Sequence, residues 1–306
     1  MYIPHGVIPA VLMPFHDDFS IDEKSYRAHL KDVTSVQGIS AITTNAHASE
    51  VASCTFEEQR RVLEVTMDEI GNSVPIVNGV YADGSFEAQR IARMATEGGA
   101  SALLIFPPAL YSMGQRPEMA VEHFKRIADV TDLPLIVFQY SLLPGGLGYP
   151  LSTLLKIIEA VPTVRAIKDW SGSPQMHERN VRALQSLPQP VNVLSTHSAW
   201  LFSSLVLGAN GLLSGSGSVI ADLQAQLFRA VQSNDLVAAR LLNDRIFPTA
   251  EVFYAEPAVD MHNRMKEALV LLGKLPRAVV RPPLMKLRAE EIQKIRSALV
   301  LAGLLE

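Results

Sequence analysis

The chain has 306 residues, 48% of them apolar and 19% charged, with a net charge of −4. That length holds one large α/β domain with an appendage or two ordinary domains, because single cores stop growing at about 250–300 residues, and the apolar share excludes a disordered chain. The acidic balance leaves no basic footprint for nucleic acid, and the lone cysteine, Cys54, excludes an internal disulfide and fits a reducing compartment.

The opening MYIPHGVIPAVLMPF is apolar, but Pro4, Pro9 and Pro14 interrupt it and no basic segment precedes it. It reads poorly as a signal peptide, and the cytoplasm is the expected location. Within it GVIPAVLMPF (6–15) begins a series of short runs rich in Val, Ile and Leu. The others are GISAITTN (38–45), VPIVNGVY (74–81), SALLIFP (101–107), LPLIVFQY (133–140), VRAIKDW (164–170), VNVLSTHS (191–198) and ANGLLSGSG (209–217). Near-continuous hydrophobicity is the mark of strands covered on both faces, as in a parallel sheet.

Helical periodicity fills the gaps. FEEQRRVLEVTMDEI sets Phe56, Val62, Leu63, Val65 and Met67 against a charged outer face, and PEMAVEHFKRIADV starts on Pro117, a residue suited to a first helical turn. Strand then helix, eight times, predicts an α/β fold of the (β/α)8 barrel type over residues 1–225. After residue 218 the pattern is helical only, starting with DLQAQLFRAVQ and with GKLPRAVVRPPLM as one long loop, and a C-terminal helical region is predicted over residues 226–306. No Asp, Glu, Lys or Arg occurs between Arg182 and Asp222, yet Pro188, Pro190, Asn192 and the SGSGS run leave no segment able to span a bilayer. A buried interior is the expected reason, and no membrane association is expected.

In such a barrel alternate side chains point inward and the active site lies at the C-terminal ends of the strands. Val164, Ala166 and Lys168 are predicted to share one face of the sixth strand, and Ile136, Phe138 and Tyr140 one face of the fifth. Two neighbouring strands thus end, on otherwise apolar faces, in groups fit for chemistry. A lysine at a strand end can equally reach the surface or pair with Asp169 or Glu50, and a tyrosine can simply be a core residue.

These residues, with SEVASCTFEEQRRV after the second run, GGASALLIFPP, AIKDWSG, LGANGLLSGSGSV, NRMKEALVLLG and VVRPPL, make the chain resemble a known family along essentially its whole length. It is similar to the class I, Schiff-base-forming aldolases and lyases related to dihydrodipicolinate synthase and N-acetylneuraminate lyase. The resemblance implies that Lys168 forms an imine with a 2-oxo acid such as pyruvate, that Tyr140 carries protons, that no cofactor is required, and that the chain assembles as a homotetramer. Desolvation by apolar neighbours suits Lys168 to that role, because it lowers the amine's pKa and frees a neutral nucleophile.

The sequence also departs from the family. Where Gly-Thr-Thr-Gly-Glu is usual after the second strand, the chain reads Ala46 to Glu50, AHASE. His47 stands in place of the proton-relaying threonine, either as the replacement proton carrier, since an imidazole has an ordinary pKa near the working pH, or as a residue that merely fills space. The amides of Ala48 and Ser49 are the expected cradle for the substrate carboxylate. Tyr111 comes one step later than the family tyrosine that reaches across a subunit boundary, and Gly146 occupies the place of the arginine that binds a second carboxylate in dihydrodipicolinate synthases. Thr196 and His197 at the seventh strand end, and Leu213 and Ser214 at the eighth, complete the expected substrate-binding set. The expected activity is a carbon–carbon or carbon–oxygen lyase: retro-aldol cleavage or condensation with pyruvate, or dehydration of a 2-keto-3-deoxy sugar acid. The alternatives are a non-catalytic oxo-acid-binding descendant and, less favoured, a metal-dependent enzyme using His47, Glu50 and His197; no metal is expected.

Overall fold

The computed structural model describes residues 2–143, 146–196 and 200–306. Each apolar run supplies one strand: β1 (Gly6–Pro9), β2 (Ile42–Thr44), β3 (Ile76–Val80), β4 (Ala102–Ile105), β5 (Leu135–Gln139), β6 (Val164–Asp169), β7 (Asn192–Ser195) and β8 (Gly211–Ser214). All pair in parallel in the order β1-β8-β7-β6-β5-β4-β3-β2. Parallel bridges Val7–Ile39 and Ala10–Thr43 join the two ends of that order and close the ring.

Eight helices alternate with the strands: α1 (Glu23–Thr34), α2 (Phe56–Ile70), α3 (Ser85–Glu97), α4 (Pro117–Ala128), α5 (Leu151–Ala160), α6 (Pro174–Gln185), α7 (Leu201–Val206) and α8 (Ala221–Gln232). The architecture is therefore the (β/α)8 barrel that the alternation predicts. Local signals start these helices where they are needed. Thr55 caps α2 and Glu58 returns the bond to the Thr55 amide, a reciprocal box that satisfies two otherwise orphaned donors, a cap being worth about 0.5–2 kcal/mol. Pro117 occupies the first turn of α4, where its missing N–H costs nothing. The tail adds α9 (Leu236–Phe253), α10 (Met261–Leu271) and α11 (Ala289–Leu301). The boundary expected at residue 225 falls inside α8, because DLQAQLFRAVQ is the eighth helix of the barrel and not the first of the tail.

Two apolar clusters hold the layers together. One lies between strands and outer helices and includes Ile42, Leu103, Val137, Ile167 and Phe124. The other includes the inward residues Leu104, Ile136, Phe138, Ala166 and Leu194 and continues into the tail through Phe253, Met265 and Leu299. Val164 belongs to the outer cluster, contrary to the predicted face. Leu135 pairs with Val164 but Ile136 with Ala166, so β6 carries one extra residue, Arg165, and the alternation is reset there. Ala166 and Lys168 remain on the inward face.

The long loop after α10 returns to the barrel's C-terminal rim. Arg281 reaches the carbonyl oxygens of Phe19 and Ser53, at 2.8–3.0 Å, and both carboxylate oxygens of Glu58 at 2.6 and 2.9 Å. Its guanidinium also stacks on Phe15. The tail is thereby fastened over the loop that follows β2.

Candidate active site

A cavity of about 480 Å³ opens at the C-terminal end of the strands, with Lys168, His47, Phe138, Trp170 and Thr196 among the residues that border it. Lys168 is the penultimate residue of β6 and is buried. Its Nζ lies 4.1 Å from the centroid of the Phe138 ring. Among the described residues no carboxylate comes within ion-pair distance of it, and burial lowers its pKa to about 7. Pairing with Asp169 or Glu50 does not occur, because both carboxylates are engaged elsewhere.

Asp169, the next residue, points to the other side of the strand. It accepts from the Ser171 amide at 2.9 Å, Asn180 Nδ2 at 3.0 Å and His177 Nδ1 at 3.1 Å, while His177 Nε2 meets Ser204 Oγ at 2.8 Å. Burial works against the Asp169 carboxylate, but these donors hold it below its ordinary value. The Ser204–His177–Asp169 string resembles a hydrolytic triad in order only: all three are buried and none borders the cavity. Its work is to fix the end of β6 against α6 and α7, and with it the position of Lys168.

Glu50 sits in a left-handed backbone conformation (φ 51°) between two short 3-10 turns. One carboxylate oxygen takes Lys266 of α10 and the other the Arg281 amide at 3.0 Å. Lys266 is fully buried, donates also to the Val279 carbonyl oxygen at 2.7 Å, and lies over Phe15. This buried pair ties the His47 turn to the tail. Each Glu50 oxygen thus already accepts a bond, and His197, the third member of the metal site weighed as an alternative, lies outside the described residues.

His47 Nε2 and the Tyr140 hydroxyl form a hydrogen bond. Burial, and secondarily Lys168, push the imidazole pKa down to about 3, and burial raises the phenol well above its ordinary value. Both groups are then neutral near pH 7, and the hydrogen bond runs from the phenol to Nε2 or from Nε2–H to the phenol oxygen according to the imidazole tautomer. The expectation that His47 titrates near neutral pH is corrected by this environment, in which Phe106, Tyr81 and Phe138 surround the ring with centroids at 4.7, 5.7 and 5.9 Å. Tyr140 does not itself border the cavity. It packs at a tilt against Phe138 and Trp170, with centroids at 4.2 and 5.6 Å, and reaches the cavity through His47.

The other predicted residues divide. Thr196 borders the cavity. Ala48 and Ser49 are buried behind His47, and Ser49 spends its amide on the Ala46 carbonyl oxygen and its hydroxyl on that of Val11, each at 2.9 Å. Leu213 and Ser214 lie beneath the floor, with the Ser214 hydroxyl 2.8 Å from that of Ser216, and Gly215 takes their place at the cavity wall. His197 lies outside the described residues. Tyr111 packs inward against Tyr149, with ring centroids 6.5 Å apart, in the outer core of its own chain.

The sequence reading missed the contribution of the tail. Tyr254, Val259, Met261 and His262 border the cavity, as do Pro283 and Leu284 of the long loop. His262 stands so close to Gly215 that a Cβ there would come within 2.9 Å of its Nε2. Among the described residues it has no hydrogen-bond partner, and burial, then the neighbouring His47 and Lys168, lower its pKa well below the ordinary value. A signal did exist: Glu50 in an apolar loop needed a cation, and the tail's NRMKEAL segment offers one.

Comparison with known proteins places this geometry. The chain is 27% identical over 303 residues to 4-hydroxy-tetrahydrodipicolinate synthase of Methanopyrus kandleri, covering 98% of this chain and 97% of that one. It is 28% identical over 304 residues to the enzyme of the same name from Neisseria meningitidis serogroup B, covering 97% and 98%. Among solved structures, YagE from E. coli K12, a prophage protein of the dihydrodipicolinic acid synthase family in complex with pyruvate, superposes with a TM-score of 0.91 at 20% identity, covering 98% of this chain and 99% of that one. The sequence pattern of the Dihydrodipicolinate synthetase family matches residues 3–302, and the chain belongs to that family.

Proposed function

We propose that the protein is a lyase that binds a 2-oxo acid as a Schiff base on Lys168. The observation that carries this reading is the Lys168 amine: buried at the cavity floor, without an ion-pair partner among the described residues, and held near pKa 7 by desolvation. About half of it is neutral at pH 7, against fewer than one in a thousand for an ordinary lysine. The family relatives and the pyruvate bound to YagE support a 2-oxo acid as the carbonyl partner.

The chemistry follows from the electrons. The Lys168 nitrogen lone pair attacks the substrate's C2, the former carbonyl oxygen takes one proton from that nitrogen and a second from an acid, and it leaves as water to give a protonated imine. That cation draws in the electrons of a bond at C3. Loss of a C3 proton gives an enamine; cleavage of C3–C4 gives the same enamine and an aldehyde when a C4 hydroxyl gives up its proton. The Tyr140–His47 pair suits both proton movements. Hydrogen-bonded to each other, the two can pass a proton between phenol and imidazole and so act as one relay. That fits their opposed pKa displacements.

Proton NMR of pyruvate in D2O tests this reading. Imine–enamine interconversion exchanges the methyl protons for deuterium, and the protein is expected to catalyse that loss of signal, with Lys168→Met abolishing it. Exchange that survives Lys168→Met at the original rate would refute the assignment.

A further inference from the structure

We propose that the site selects 2-oxo acids whose tail is uncharged and largely apolar, such as an aryl group, over polyhydroxylated tails or tails ending in a second carboxylate. This rests on the imine reading above and concerns the part of the cavity beyond the reacting carbons.

From Lys168 outward most of the described wall is apolar. Phe138 and Trp170 line the inner part, and Val259, Met261, Pro283 and Leu284 of the tail line the outer part. Such a wall favours a ligand whose own surface is apolar and strands any hydroxyl laid against it without a partner.

The charged groups at the wall are not free to change that. Both Glu50 carboxylate oxygens are taken by Lys266 and the Arg281 amide. The Arg281 guanidinium is consumed by Glu58 and two backbone carbonyls and stacks on Phe15. Recruiting it for a second carboxylate would break a bidentate ion pair. At Gly146 the backbone also closes off a side chain: its amide donates to the Leu143 carbonyl oxygen at 2.7 Å, and a Cβ would collide with the Ser141 carbonyl oxygen. Among the described residues the uncharged polar side chains at the wall are His47, Ser53, Thr196, Tyr254 and His262, set singly among apolar ones, and the Ser53 hydroxyl is already bonded to the Glu50 carbonyl oxygen. A polyol laid along this described wall meets apolar surface over most of its length and leaves hydroxyls without partners there.

Saturation of imine trapping by borohydride, read by intact mass, tests the inference with four probes: pyruvate, 2-oxo-4-phenylbutanoate, 2-keto-3-deoxygluconate and 2-oxoglutarate. The phenyl compound is expected to reach half-maximal trapping at a concentration at least tenfold below each of the other three. Val259→Asp, which puts a carboxylate on the outer wall, is expected to shrink its advantage over pyruvate at least fivefold. If pyruvate is trapped on Lys168 but 2-keto-3-deoxygluconate or 2-oxoglutarate saturates at an equal or lower concentration than the phenyl compound, the tail preference is overturned and the imine reading stands. If no probe is trapped, the imine reading falls and the preference falls with it.

Discussion

Lys168→Met should make the protein more stable, by an amount that depends on pH. The folded-state pKa of Lys168 is about 7 against 10.5 for the exposed amine. Folding therefore costs energy whenever the amine is protonated in the unfolded chain. The cost is fully developed below about pH 7, shrinks as pH rises, and vanishes above the unfolded value, because between the two the unfolded chain binds more protons than the folded one. At 1.36 kcal/mol for each tenfold change, the cost is about 4 kcal/mol at pH 7 and about 2 kcal/mol at pH 9. Replacing the ammonium by Met also removes its contact with the Phe138 face, worth about 0.5–2 kcal/mol. The net gain for Lys168→Met is then about 3 kcal/mol at pH 7 and about 1 kcal/mol or less at pH 9. The assay is denaturant unfolding of both proteins at several pH values, in which the titration of all other groups largely cancels. A Met variant that is no more stable at pH 7, or whose advantage does not fall with pH, would refute the claim that the amine is held desolvated.

The Glu50–Lys266 pair gives a second stability test. Glu50→Gln strands a buried ammonium and should cost about 3–5 kcal/mol, whereas Glu50→Gln combined with Lys266→Met should recover most of that loss; additive losses would contradict the pairing. For the proton relay, His47→Phe and Tyr140→Phe should each slow pyruvate deuterium exchange by about 10²–10⁴, and the double variant should be little slower than either, since both belong to one hydrogen-bonded unit. Multiplicative losses would mean that the two act separately. The exchange rate of the unaltered protein should rise with pH and level off above about 7 as Lys168 loses its proton; a rise continuing to pH 10 would show an ordinary lysine.

The barrel was legible because strands covered on both faces leave an unbroken apolar record. All eight runs became strands, and Pro117 marked a helix start through local chemistry that needs no tertiary context. Lys168 and Tyr140 were legible for a related reason, as polar groups ending runs built for burial. What failed was anything decided by long-range contact. The bulge at Arg165 is set by pairing with β5 and turned Val164 outward, and nothing in VRAIKDW signals it. The depressed pKa of His47 depends on three aromatic rings from three different strand ends or loops, and on Lys168. The tail's place at the cavity comes from contacts spanning more than two hundred residues, Lys266 to Glu50 and Arg281 to Glu58, which leave only unexplained charges in the sequence.

The central claim is that Lys168 is the residue that binds substrate covalently. Incubation with pyruvate and borohydride at pH 7, followed by proteolysis and peptide mass mapping, tests it most directly. The expected result is one stable adduct, the mass of a reduced pyruvate imine, on the peptide containing Ala166–Trp170 and absent in Lys168→Met. An adduct on Lys266 or another lysine, with Lys168 unmodified, would contradict it.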